Sequence, residues 1–131
     1  MMVIVDTTVW VDFFAARSAD HVAMLETLID EREDICICGI ILTEVLQGIR
    51  KESEFRKTRD LFNALIFLPM EYKTFSRSAE IYRLLRRKGI TVRKPMDCMI
   101  ASVAIENDIP LLHNDKDFHP IEQYCGLKPM S

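Results

Sequence analysis

Four carboxylates, Asp6, Glu44, Asp97 and Asp115, have the types and settings to do chemistry together in this 131-residue chain. Asp6 ends a short apolar run, Val3-Ile4-Val5, and two hydroxyls, Thr7 and Thr8, follow it before a helical pattern begins. Glu44 lies in a helix just after a second apolar run, Ile35-Cys-Ile-Cys38. Asp97 occupies the first turn of a helix opened by Pro95, where the positive end of the helix dipole favours a carboxylate. Asp115, with Asp117 close by, follows the apolar pair Leu111-Leu112. In open α/β sheets ligands bind beyond the carboxyl ends of the strands, and each of these acids can be placed at that edge.

Each acid also has an ordinary reading. Glu44 falls outside its helix's apolar stripe and reads as a surface glutamate. Asp97 reads as a helix cap, and Asn114-Asp115 as a turn. Their combination is more demanding. Two carboxylates about 4 Å apart repel by roughly 4 kcal/mol at an effective dielectric near 20. Four gathered at one edge therefore need a cation or shared protons. All-oxygen ligands favour a hard cation, Mg²⁺ or Mn²⁺, which can orient water and stabilise an in-line displacement at phosphorus. The Thr8 hydroxyl and the Asn114 amide are candidates to hold the carboxylates in place.

The elements that must position these groups follow from periodicity. Residues 2–6 predict a strand and 7–16 a helix, with Val9, Trp10, Phe13 and Phe14 on one side as packing residues. Helix 20–32 follows, with Asp20 as its N-cap, then strand 35–38, broken by Gly39. Helices 40–51 and 53–65, strand 66–68 and a long helix 73–88 come next, the last closing in a basic turn and Gly89. Residues 90–94 form a basic loop. Helix 96–106 is apolar nearly all round from Cys98 to Ile105, which marks it as buried. Strand 111–112, a helical turn at 120–124 and an edge strand at 127–130 complete the chain. The alternation predicts one α/β domain over 1–131, a parallel sheet of four to five strands with helices on both faces.

A net charge of −3 argues against a non-specific nucleic-acid coat, but the bases are unevenly spread. Eleven of the 17 bases fall in residues 50–59 and 83–94, and the second window contains no acid. These are either solvated helix faces or surfaces for phosphates. Arg86, Arg87, Arg93 and Lys94 are the leading candidates to meet phosphates. Cys36, Cys38, Cys98 and Cys125 show no C-x-x-C pair and no histidine at zinc-finger spacing, and read as buried thiols in a reduced compartment. No apolar run approaches the roughly 18 residues a membrane span needs, and no basic segment precedes the first apolar run, so a cytoplasmic protein is expected.

VIVDTTVWVDFF, ILTEVLQGIR, VRKPMDCMIASVAIE and LLHNDKDF, in this order, resemble the PIN-domain pattern, and within it the VapC-type toxin ribonucleases of toxin–antitoxin pairs. The resemblance runs from residue 2 to about residue 122. It implies that Asp6, Glu44, Asp97 and Asp115 are the catalytic acids, with Asp6, Asp97 and Asp115 on the metal. It implies support from Thr8 and Asn114, and from Asp117 as a helper or structural acid. It further implies Mg²⁺- or Mn²⁺-dependent cleavage of transfer or ribosomal RNA, a homodimer, and a VapB-type antitoxin as partner. His113 is a departure, since many members carry Thr or Ser there.

Two other phosphate-handling families fit less well. A receiver-type switch needs an acid directly after the third strand, where this chain has Leu68-Pro69-Met70-Glu71. A haloacid-dehalogenase-like phosphatase needs a second Asp two residues after the first, where this chain has Thr8. A catalytically silent PIN-fold module that binds RNA or protein is the alternative from a different class.

Overall fold

The computed structural model describes residues 1–130. Four parallel strands, β1 (Met2–Val5), β2 (Asp34–Ile37), β3 (Ile66–Phe67) and β4 (Leu111–Leu112), stand in the order β3-β2-β1-β4. Val3, Ile4 and Val5 are fully buried, as expected of a central strand covered on both faces. The chain steps outward from β1 through β2 to β3 and then returns to the other side of β1 as β4. This reversal opens a crevice at the carboxyl ends of β1 and β4, the place where open α/β sheets bind ligands. Asp6 and Asp115 lie at those two strand ends.

The helices are α1 (Thr7–Phe14), α2 (Asp20–Asp30), α3 (Gly39–Gln47), α4 (Glu52–Asn63), α5 (Tyr72–Arg87), α6 (Pro95–Glu106) and α7 (His119–Cys125). A 3₁₀ turn at Lys116–Phe118 leads into α7. Several helices stop short of the predicted ends for visible reasons. Ala16 and Arg32 adopt φ of +54° and +55°, which ends the runs after α1 and α2, and α3 stops before Gly48. Asp20 is the first residue of α2, and Ala19 holds the capping position without a side-chain bond. The expected edge strand at 127–130 is reduced to one bridge, Pro129 against Leu111.

Trp10 is buried, donates its indole N–H to Val5 O at 3.1 Å and packs against Phe13, Phe14 and Phe62. Phe14 nonetheless leaves 43% of its surface exposed, so it packs on one side only. The four cysteines are free thiols, three of them buried, and burial pushes the Cys98 thiol up to about 11.

Helix α6 carries Asp97 into the interior. Ile100, Ala101, Ser102, Val103 and Ala104 are all buried, and the small side chains let α5 approach closely. Ser102 Oγ donates to Thr74 O at 2.8 Å, and Thr74 Oγ1 donates to Glu106 at 2.7 Å. Thr74 and Glu71 also complete a capping box at the start of α5. The α5–α6 pair is therefore fixed at both its apolar and its polar contacts, and Asp97 has little freedom to move. After α5, Gly89 takes φ +79°, and the chain turns sharply enough to bring residues 93 and 94 back over the strand ends.

Candidate active site

Asp6 is buried at the junction of β1 and α1 and serves as the N-cap of α1. Its Oδ2 accepts from Thr8 N at 3.1 Å and from Thr8 Oγ1 at 2.6 Å. Burial pushes its carboxyl above the usual range, against the pull of these bonds. The same Thr8 hydroxyl accepts from the backbone N–H of Asn114 at 3.1 Å. One hydroxyl thus donates to the first acid and receives from the loop that carries the last. Asn114 contributes its main chain here, whereas the expectation had been its amide on the carboxylates.

Glu44 is half-buried on α3, and its Oε1 accepts from Thr7 Oγ1 at 2.7 Å. Nothing in the sequence separates Thr7 from Thr8. Thr8 lies two residues from Asp6, whereas the partner of Thr7 is 37 residues away.

Asp97 is buried in the first turn of α6, and its Oδ2 accepts no hydrogen bond, the nearest cation being Lys94 Nζ at 3.7 Å. Burial pushes its carboxyl up to about 7; Lys94 opposes this, while the charges of Asp6, Asp115 and Glu44 add to it. A buried, unpartnered carboxylate oxygen is costly unless something meets it. Ligand oxygens of Asp97, Asp115 and Asp117 lie within 4.8 Å of one another. An all-carboxylate set with an orphaned buried oxygen fits a hard divalent ion.

Asp115 N-caps the 3₁₀ turn through the N–H of Asp117, 2.9 Å from its Oδ1. Burial alone would raise its carboxyl, but its hydrogen bond from Lys94 leads the contacts that hold it below the ordinary value. Lys94 Nζ donates to Asp115 Oδ2 and stands 3.7 Å from Asp97 Oδ2. Its ammonium is correspondingly raised, first by the bond to Asp115. Arg93 grips Asp117 through Nε and Nη2 at 2.9–3.2 Å. Two of the four bases expected on a phosphate surface are therefore paired with acids of the site. Arg86 and Arg87 remain exposed in the last turn of α5, with Arg86 lying over the Tyr82 ring.

His113 is only 8% exposed at its side chain. The N–H of Asp115 donates to its Nδ1 at 3.1 Å, and its Nε2 lies 3.0 Å from Glu122 Oε2. A backbone N–H can only donate, so Nδ1 carries the lone pair and the ring proton sits on Nε2, facing the carboxylate. His113, His119 and Glu122 could by spacing hold a metal. An ion on His113 Nε2 would move the proton to Nδ1, against the Asp115 N–H, so the triplet is better suited to orienting the loop.

The fold, the strand-end acids and their order along the chain define a class. The chain belongs to the PIN-domain family, whose model matches residues 3–123. Within that family it is 34% identical to VapC ribonuclease Mb1587 of Mycobacterium bovis, over 99% of this chain and 98% of the relative. Similar solved structures include VapBC2 from Rickettsia felis bound to a promoter DNA fragment, with a TM-score of 0.76, 21% identity and coverage of 99% and 98%. VapBC-1 from nontypeable Haemophilus influenzae also matches, with a TM-score of 0.76, 17% identity and coverage of 100% and 98%. Among the described residues no helix is long and apolar enough to cross a membrane.

Proposed function

We propose that this chain is a metal-dependent endoribonuclease, the toxin of a toxin–antitoxin pair, acting as one PIN domain. The observation that carries the reading is buried Asp97, whose Oδ2 accepts no hydrogen bond and whose carboxylate comes within 4.8 Å of ligand oxygens of Asp115 and Asp117. The similarity to a VapC ribonuclease over nearly the whole chain supports the reaction class.

Asp6, Asp97 and Asp115 are the residues that would hold Mg²⁺, or Mn²⁺ in its place, with Glu44 completing the acid set. When bound, such an ion activates water and offsets negative charge at a phosphodiester. The remaining work belongs to the chain. Thr8 fixes the Asp6 carboxylate and Thr7 fixes Glu44. His113 and Asp117 hold the Asp115 loop. Arg93 and Lys94, at the edge of the cluster, offer cations to the RNA backbone, and Arg86 and Arg87 extend that surface along α5.

Transfer or ribosomal RNA is the substrate class. A VapB-type antitoxin is the partner, by similarity to the VapBC structures that share the fold, and a homodimer in the cytoplasm is the assembly that the family resemblance implies.

The test is incubation of protein purified free of antitoxin with structured RNA, with and without Mg²⁺ or Mn²⁺, beside Asp6→Asn. Metal-dependent cleavage that disappears in the variant supports the nuclease. Binding without cleavage in either protein supports a silent RNA-binding module instead.

A further inference from the structure

Next to the acid cluster, between the 89–94 turn and the start of α7, lies a groove of about 370 Å³ that opens onto Asp97. This is the size of a small-ligand cleft, roughly 300–1,000 Å³. Its two sides differ in chemistry. Leu85, Ile90, Val92 and Ile121 form an apolar floor. Arg93, Lys94 and Lys116 form a cationic rim, with the His119 ring beside them.

The rim is organised rather than merely charged. Arg93 spends its Nε and Nη2 on Asp117, which fixes the plane of the guanidinium. The Nη1 edge is left with no hydrogen bond among the described residues. A guanidinium anchored on one edge is suited to a phosphate oxygen on the other. Lys116 has no carboxylate partner among the described residues, and its ammonium is free for an anion. Lys116 lies between Asp115 and Asp117 in the chain, and Arg93 reaches the same stretch through its bonds to Asp117, so an anion on them is close to the acids.

An apolar floor bounded by cations and continuous with a carboxylate cluster matches one kind of ligand, a flat base joined to a phosphodiester. We propose that this groove seats the nucleoside adjoining the phosphate that is cut, its base on the half-buried Ile90 and Val92 and its phosphate on Arg93 and Lys116. The inference rests on the ribonuclease reading and adds to it a place where base identity is felt. Contact with a hydrophobic floor discriminates by shape and size, and the exposed His119 ring offers a face on which a base can stack. The groove is the local source of sequence preference, while the α5 surface contributes affinity without it.

The four ribonucleoside 5′-monophosphates are not cut, so the native protein can be titrated with each while its methyl groups are followed by NMR. The expected result is movement of the Ile90, Val92 and Ile121 methyls, unequal among the four bases and absent with inorganic phosphate alone. Lys116→Glu, an exposed substitution, weakens binding about tenfold, and Val92→Asp does so more strongly. Identical shifts with inorganic phosphate, shifts confined to methyls outside the groove, or unchanged affinity in Lys116→Glu would overturn the assignment. Nucleotide binding here without RNA cleavage would retain the groove and remove the nuclease. Cleavage without such binding would do the reverse.

Discussion

The N–H of Asp115 points at Nδ1 of His113 from 3.1 Å, and that contact determines which nitrogen of the ring carries the proton. Glu122 accepts that proton's hydrogen bond at 3.0 Å, and Phe118 packs against the ring at 4.8 Å between centroids. The imidazole is a strut between α7 and the loop that presents Asp115. Partners of metal-binding groups typically matter by about 10- to 100-fold in metal affinity. His113→Ala is expected to weaken Mn²⁺ binding about tenfold by calorimetry. His113→Asn recovers part of the loss, because an Asn oxygen can accept from the N–H two residues on. Unchanged affinity in the alanine variant would reduce the ring to a space filler.

Lys94 places an ammonium where a metal would also draw the Asp115 and Asp97 carboxylates. A cation already present competes with an incoming one. Lys94→Met is therefore expected to tighten Mn²⁺ binding several-fold while lowering the stability of the metal-free protein, whose carboxylates then repel without compensation. RNA affinity should fall in the same variant. Equal Mn²⁺ affinity in variant and parent would show that the lysine serves the substrate alone.

The protonation of Asp97 gives a pH dependence with a definite sign. Its folded value of about 7 stands above the ordinary 3.8 of an aspartate. Between those values the folded chain keeps a proton that the unfolded chain releases, so this group's contribution to stability falls as pH rises from about 4 to 7. Asp6, also raised, acts in the same direction, and Asp115, lowered, acts oppositely. Urea unfolding in the presence of a chelator should therefore show Asp97→Asn more stable than the parent above pH 7, with the difference vanishing near pH 4. A parent no less stable than the variant at pH 7.5 would contradict the burial of a strained carboxylate here.

Metal should close the same gap from the other side. A ligand that binds only the folded state at a hundred times its Kd adds about 2.7 kcal/mol, which for a chain of this size is on the order of 10 °C in Tm. Millimolar Mg²⁺ is expected to raise Tm in the parent, less so in Asp6→Asn and least in Asp97→Asn. Calorimetric scans with a chelator as baseline measure it, and a flat response in the parent would remove the preformed pocket.

The strand-to-helix handover at Asp6 was legible because an apolar run, an acid and a helical stripe are neighbours in sequence. Pro95 marked the start of α6 equally well. The resemblance to PIN domains supplied the grouping of acids that lie far apart. What escaped was contact at long separation. Thr7 and Thr8 look interchangeable in the chain, and only the approach of α3 gives Thr7 its glutamate. Glu44 was correctly placed off its helix's apolar stripe, yet that stripe measures contact with the core and says nothing of the site at the sheet edge. Arg93 and Lys94 read as free bases because their acids are 24 and 21 residues away. The strand expected at 127–130 overestimated how far a short apolar stretch pairs beside a two-residue β4.

The hydrogen bond from the Asn114 main chain to Thr8 spans 106 residues, and β4 is the last strand to join the sheet. A growing polypeptide on the ribosome holds its first two acids early but cannot complete the cluster until residue 115 has emerged and docked. The acids are therefore brought together only once the last strand has docked, however early the first of them is made.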